Sequence, residues 1–352
     1  MGKILNADIL DSKKILITGV AGFIGSSLAK ALLKKYSKIQ IIGIDNLNEY
    51  YDIRLKKHRL IELEKYTNFI FVKDNIANKK SVMEIFERYK PEIVVNLAAQ
   101  GGVRYSIKEP DIYIESNVIG FYNILEACRY NRVEHLVYAS SSSVYGANKK
   151  IPYSVGDSVD HPISLYAATK KTDELMAYTY SKLFDIPSTG LRFFTVYGPA
   201  GRPDMAYYKF TDKLVNGEDI EIYNYGKCKR DFTYIDDVVL GIINVLNKKP
   251  DKDENGVAYK IYNIGNNHPE SLLDFVDILQ QELKHAGVIP LTYNFEEHKK
   301  FVPMQPGDVE MTYADITDLE KDFGYRPQTT LREGLKVFAK WYKDYYEIET
   351  EE

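Results

Sequence analysis

Short apolar runs alternate with amphipathic stretches over more than half of this chain. The runs at 14–17, 39–44, 69–72, 92–95, 134–139 and 187–191 are too short for buried helices and read as strands. Between them, 23–35, about 51–65, 79–89, 111–130 and 165–183 carry apolar residues at helical spacing. Such alternation predicts an α/β fold built on a doubly wound parallel sheet. Beyond 191 the pattern loosens into a loop at 198–204 and shorter mixed elements, ending in a helix near 331–346. Segments 236–246 and 260–264 are expected to return to the large sheet, no internal repeat is visible, and 347–352 is an acidic tail that should fray.

The first strand runs directly into a glycine-rich turn, TGVAGFIG, with Gly19, Gly22 and Gly25 at three-residue spacing before the first helix. Small residues let the backbone approach a pyrophosphate, and the helix start offers free N–H groups and a favourable dipole. The second strand ends in Asp45, 20 residues past Gly25, where a carboxylate can bind adenosine ribose hydroxyls. An acid there disfavours a 2′-phosphate, so the predicted cofactor is NAD and the large unit a Rossmann sheet. The residues expected to hold it are Gly19, Gly22, Phe23, Ile24, Gly25, Asp45, Asn46, Asn75, Ile76, Leu97, Ala98, Ala99, Gln100 and Asn117, with Tyr166 and Lys170.

Two strand segments, 94–100 and 136–141, break into small polar residues, and ligands lie at the carboxyl ends of parallel strands. Past Ser141 comes Tyr166-Ala-Ala-Thr-Lys170. A free tyrosine titrates near 10, so its use as a base at neutral pH needs a nearby cation to favour the phenolate. Lys170, four residues along a helix, lies on the same face. Ser141 would hydrogen-bond the reacting oxygen, making Ser141, Tyr166 and Lys170 a set for oxidising an alcohol. Alone, such a spacing reads as an amphipathic helix with a solvated lysine; the glycine turn and the strand ends reverse this in favour of the catalytic reading.

With 46 basic and 50 acidic residues among 352, the net charge of -4 suggests no nucleic-acid partner. Cys128 and Cys228 offer neither a disulfide framework nor a metal spacing and read as buried residues of a reducing cytoplasm. No apolar run approaches 18 residues and the N-terminus lacks a signal-peptide core, so no membrane association and a soluble cytoplasmic protein are expected.

Taken together, the chain resembles the extended short-chain dehydrogenase/reductase superfamily and, within it, the UDP-glucuronate 4-epimerase family over nearly its whole length. The runs that carry the likeness are GIDNLNEYYDIRLKKHRL, LAAQGGVRYS, YASSSSVYGAN, RFFTVYGPAGRPDMAYYKFT, GKCKRDFTYIDD and MQPGDV. The resemblance implies that Tyr166 takes the O4 proton while C4 is oxidised, and that the 4-keto sugar turns over and is reduced on its other face. It also implies a division into an NAD-binding Rossmann domain, 1–194 with about 233–265, and a smaller, non-contiguous α/β nucleotide-sugar domain, about 195–232 with 266–352. A homodimer through helices 111–130 and 165–183 follows from the same likeness.

A uronate adds a chemical demand. Once C4 is a ketone, the C5 carboxylate belongs to a β-keto acid and must be held so that it does not leave as carbon dioxide. An arginine fork suits this, and Arg202 is the first candidate, with Thr195, Ser142 and Ser143 as co-ligands. An ion pair with Asp204 is the structural alternative for Arg202. By resemblance Arg230 binds the diphosphate, Asp308 a uridine ribose hydroxyl, and 205–210 with 221–224, including Met205 and Tyr223, wrap the uridine; Arg104 has no assigned partner.

The chain departs from the family at three places. Asn75 replaces an aspartate that accepts from the adenine amino group, Ala200 replaces a tryptophan, and Gly101 an alanine, the last two loosening the wall of the sugar pocket. Dehydratases of this superfamily carry Thr-Asp-Glu where Ser141-Ser142-Ser143 stands, and serines cannot supply the acid and base of elimination. Uronate decarboxylases, neutral-hexose or N-acetylhexosamine epimerases, and a domain that binds NAD only as a regulator are the remaining alternatives.

Overall fold

The computed structural model describes residues 9–305 and 308–349. Residues 1–8, Pro306 and Gly307 of the MQPGDV run, and 350–352 of the acidic tail lie outside the described residues.

Seven parallel strands form the central sheet: β1 Lys14–Thr18, β2 Gln40–Asp45, β3 Phe69–Lys73, β4 Ile93–Asn96, β5 His135–Ser141, β6 Ser188–Phe193 and, following β7 Thr195–Tyr197, β8 Ile220–Tyr223 and β9 Lys229–Tyr234, the strand β10 Tyr259–Ile264. Their order, β10-β6-β5-β4-β1-β2-β3, is doubly wound, with the direction of winding reversing between β1 and β4. At that switch point Thr18 pairs with Asn96, and the threonine hydroxyl donates to the Asn96 side-chain oxygen at 2.7 Å.

Alternate residues of each strand feed opposite layers. Ile15, Ile17, Ile41, Val95 and Val137 pack with helix Phe23–Lys35 and helix Ile235–Leu246, whereas Leu16, Ile42, Val94 and Leu136 face helix Lys79–Tyr89 and helix Gly120–Asn131. Both layers are closed to water, which is why the strands read as continuous apolar runs. Two smaller sheets, β11 Pro269–Ser271 with β9 and β7, and β12 Lys299–Val302 with β8, lie beyond the carboxyl side of the sequence's regular alternation.

The helix predicted at 111–130 is not uniform. It comprises Pro110–Tyr113, a π-helical stretch Ile114–Ile119, and Gly120–Asn131. The wide turn brings Asn117 inward, where it is buried with its side chain in three hydrogen bonds. Apolar spacing predicts one helix over 111–130 and does not register this bulge.

Candidate functional site

The glycine turn is shaped by close approach. A Cβ on Gly19 would lie 2.8 Å from the Ala98 nitrogen, and one on Gly25 would lie 2.3 Å from the Gly19 carbonyl oxygen, so neither position admits a side chain. Gly19 also takes φ +68°, where glycine is favoured. Helix Phe23–Lys35 starts at Gly22, an N-cap without a side-chain acceptor for its first-turn N–H groups. Asp45 accepts from the Ala21 N–H at 3.1 Å and the Leu47 N–H at 2.8 Å, which fixes the carboxylate at the carboxyl end of β2. A cradle without Cβ atoms, open helix N–H groups and an adjacent carboxylate together fit a dinucleotide.

All but one of the sequence-derived cofactor residues line a single cavity across the ends of β1, β2, β4 and β5. Asn117 lies behind its wall. Its side chain accepts from the Gln100 N–H at 2.8 Å and donates to the Gln100 carbonyl at 3.1 Å and Thr169 Oγ1 at 3.0 Å, so it braces Gln100. The Asn75 amide oxygen accepts from the Ala77 N–H at 3.0 Å, and its amino group donates to Glu115 at 3.3 Å. One lone pair of that oxygen remains for an exocyclic amine.

Helix Leu165–Phe184 opens with Ser164, whose side chain accepts from the Ala167 N–H, a cap worth about 1 kcal/mol. This places Tyr166 in the first turn, at the positive end of the helix dipole, and Lys170 one turn on. Lys170 is 2 % exposed and donates to the Ala139 carbonyl at 2.9 Å and to Asp173 at 3.1 Å. Burial pushes the Asp173 carboxyl up to about 7, against the pull of Lys170. Ser141 Oγ accepts from the Ser143 N–H at 3.1 Å, which orients it at the end of β5. Below, Glu174 accepts from Ser140 at 2.7 Å and from both Nε and Nη2 of Arg192, tying β5, β6 and the helix into one rigid base.

A second cavity is lined by every predicted substrate residue, Ser142, Ser143, Thr195, Arg202, Met205, Tyr223, Arg230 and Asp308. It shares Tyr50, Ser141, Tyr166, Phe193, Phe194, Arg202 and Met205 with the first cavity. Arg104, without an assigned partner from sequence, also lines it: its guanidinium stands 4.8 Å from the Tyr223 ring centroid and donates to Asp308 at 3.1 Å. Arg230 reaches the other Asp308 oxygen at 3.5 Å.

Arg202 is held by Asp204, with Nε to Oδ1 at 3.0 Å and Nη2 to Oδ2 at 2.6 Å. Burial works against the guanidinium's charge, yet Asp204 outweighs it and keeps Arg202 more firmly protonated than usual. Burial and the same carboxylate push the Tyr50 hydroxyl up to about 12; it donates to Asp204 at 3.2 Å. The space left by Gly101 is taken by this arginine, since a Cβ there would lie 2.6 Å from Arg202 Nη1. The loosened wall expected at Gly101 is therefore filled.

Sequence reasoning missed Lys56 and Arg59. Both sit on helix Ile53–Glu64, whose N-cap Asp52 accepts from the Arg54 N–H. Lys56 lines the cofactor cavity and donates to the Asn48 carbonyl at 2.7 Å; burial lowers its pKa. Arg59 is 3 % exposed and, among the described residues, donates only to backbone carbonyls and a tyrosine hydroxyl. Their one sequence signal is the spacing of three within LKKHR, two cations on one face of an otherwise amphipathic helix.

Comparison with known proteins agrees with this geometry. Residues 16–338 match the family described as GDP-mannose 4,6 dehydratase. Protein CapI of Staphylococcus aureus is 49 % identical over 344 residues, spanning 95 % of this chain and 99 % of that protein. A probable UDP-glucuronate 4-epimerase of Rhizobium meliloti is 40 % identical over 346 residues, spanning 95 % and 98 %. The crystal structure of UDP-glucuronic acid 4-epimerase from Bacillus cereus, in complex with UDP-glucuronic acid and NAD, superposes with a TM-score of 0.81 at 33 % identity, covering 95 % of this chain and all of that one.

Proposed function

We propose, since the chain belongs to the GDP-mannose 4,6 dehydratase family and is within it an NAD-dependent nucleotide-sugar 4-epimerase, that its substrate is a UDP-hexuronate, with UDP-glucuronate and UDP-galacturonate interconverted. One observation carries the reading: the two cavities meet at Ser141, Tyr166 and Arg202, so a sugar ring at the junction touches the base and a guanidinium at once.

The glycine turn, Asp45 and Lys170 would hold NAD, which accepts a hydride from C4 and returns it. Tyr166 takes the O4 proton and gives it back after the ring has turned. Ser141 donates a hydrogen bond to the same oxygen, and Lys170 supplies the charge that favours the phenolate. Arg202, with Thr195 and the hydroxyls of Ser142 and Ser143, binds the sugar carboxylate so that its C–C bond stays out of line with the ketone. Arg230 takes the diphosphate, while Asp308, Met205 and Tyr223 surround the nucleoside.

Elimination of water is disfavoured although the family's description names a dehydratase, because Ser142 and Ser143 provide no acid and base. A neutral UDP-hexose is the second reading, favoured by the carboxylate of Asp204 already seated on the Arg202 fork.

The helical segments that would pair two copies expose Ile114, Ile119, Tyr122, Leu175, Tyr178 and Leu183, an apolar surface suited to a homodimer. Among the described residues no helix is long and apolar enough to cross a membrane. With both cysteines buried and unpaired, a cytoplasmic enzyme feeding UDP-galacturonate to polysaccharide synthesis is the setting we favour. The test is incubation of the enzyme with UDP-glucuronate and with UDP-glucose, products separated and weighed. A UDP-galacturonate product supports the reading; a UDP-pentose, or turnover of the neutral sugar alone, sinks it.

A further inference from the structure

We propose that Arg59 is a positioning residue for Arg202, which locks the loop that reads the sugar carboxylate onto the cofactor's glycine turn. Nη1 donates to the Ala21 carbonyl at 2.9 Å and to the Tyr51 hydroxyl at 2.7 Å. Nε donates to the Ala200 carbonyl at 3.0 Å, and Nη2 donates to Ala200 at 2.7 Å and Gly201 at 2.8 Å. A guanidinium has five N–H groups, and every one of them is matched.

The carbonyl partners belong to two loops on either side of Arg59 in the chain: Ala21, 38 residues before it, lies inside the glycine turn, and Ala200 and Gly201, 141 and 142 residues after it, immediately precede Arg202. Ala21 in turn donates its N–H to Asp45. A continuous set of hydrogen bonds thus runs from the ribose-binding carboxylate, through Ala21 and Arg59, to the peptide units next to Arg202.

That loop needs an external hold. Ala200 sits at φ +51°, a left-handed conformation that alanine rarely adopts. On the far side, a Cβ on Gly201 would lie 1.6 Å from the Tyr207 hydroxyl, so the loop is pressed between Tyr207 and Arg59. The planar fork of arginine reaches carbonyls of both loops at once, whereas an ammonium is a point donor with three N–H groups and cannot. No carboxylate is among Arg59's hydrogen-bond partners in the described residues, so the side chain is a cation whose burial is compensated by these carbonyls.

The inference rests on the reading of Arg202 as the carboxylate-binding group, and the experiment separates the two. Arg59→Lys, loaded with NAD, is titrated calorimetrically with UDP-glucuronate and with UDP-glucose, and its NAD content is measured after denaturation. The expected result is about tenfold or greater weakening for the uronate, less than about threefold for the neutral sugar, and unchanged NAD content. Equal weakening for both sugars, no weakening, or loss of NAD overturns the proposal. If Arg59→Lys does not fold, Tyr51→Phe, which removes one of the five hydrogen bonds, must shift the same preference in the same direction by a smaller factor, and an unshifted preference overturns it. Should the wild type show no preference for the uronate, the reading of Arg202 falls; hydrogen exchange then judges the positioning of the loop, with faster exchange in 198–205 of the variant supporting it and unchanged exchange overturning it.

Discussion

Asp204 grips Arg202 through Nε and Nη2, and among the described residues Nη1 is the guanidinium nitrogen left without a hydrogen-bond partner. The arginine therefore enters the sugar cavity already oriented, with one nitrogen to offer. Both readings of Arg202 made from sequence, internal ion pair and carboxylate ligand, are compatible with this arrangement, because the pair uses one edge of the fork.

Arg202→Ala should slow turnover of UDP-glucuronate by ~10–150-fold, the equivalent of about 1.5–3 kcal/mol for a charge-assisted hydrogen bond, and slow UDP-glucose far less. Steady-state kcat/KM for the two sugars checks it, and equal losses would refute the carboxylate role.

Gly101→Ala should lower KM for UDP-glucuronate a few-fold with kcat little changed. The new methyl would meet Arg202 Nη1 at 2.6 Å, a contact relieved by moving the flexible end of that side chain off the wall and toward the sugar. A KM that rises instead would show the guanidinium being pushed out of reach.

Asp173→Asn should move the acid limb of the kcat profile to lower pH, by up to about one unit. Burial holds the Asp173 carboxyl up near 7, so it ionises within the working range and then offsets the charge of Lys170, to which it is bonded at 3.1 Å. An amide cannot ionise, and the lysine's charge stays available to the phenolate throughout. Profiles of kcat from pH 5.5 to 9 with saturating substrate test this; superimposable limbs would refute it.

Stability should decline as pH falls from about 6.5 toward 3 in a way that depends on His135. Burial, with Lys249 adding to it, depresses the folded-state pKa of this ring to about 3, whereas the unfolded chain protonates near 6.5. The unfolded state thus binds the extra proton first, so the stabilisation present above 6.5 is lost progressively below it, at up to about 1.4 kcal/mol per pH unit. Urea denaturation of the wild type and His135→Gln at pH 7.5 and 4.5 is the measurement, and the variant should lose less on acidification.

The sheet was legible because both its periodicities are local. Strands β1 to β6 appear in the sequence as apolar runs closed on both faces, and Asp45 lies at a distance from Gly25 set by one helix and one strand. Tyr166 and Lys170 are likewise separated by a single helical turn. Arg104 shows the limit: its type and loop position suggested no role, and its pairing with Asp308, 204 residues away, puts it on the wall of the nucleotide cavity. Asn117 was placed among the cofactor residues from sequence, and the π-helical stretch sets it behind Gln100.

By itself the sequence determined the doubly wound sheet, the dinucleotide cradle and the base with its lysine, since each depends on spacing within one or two adjacent elements. Only the tertiary structure decided that Arg202 fills the space at Gly101 and that Arg59 joins the glycine turn to the 200–202 loop. Those contacts form between segments far apart in the chain, brought together by burial of the sheet's two faces, and no local period encodes which donor meets which carbonyl.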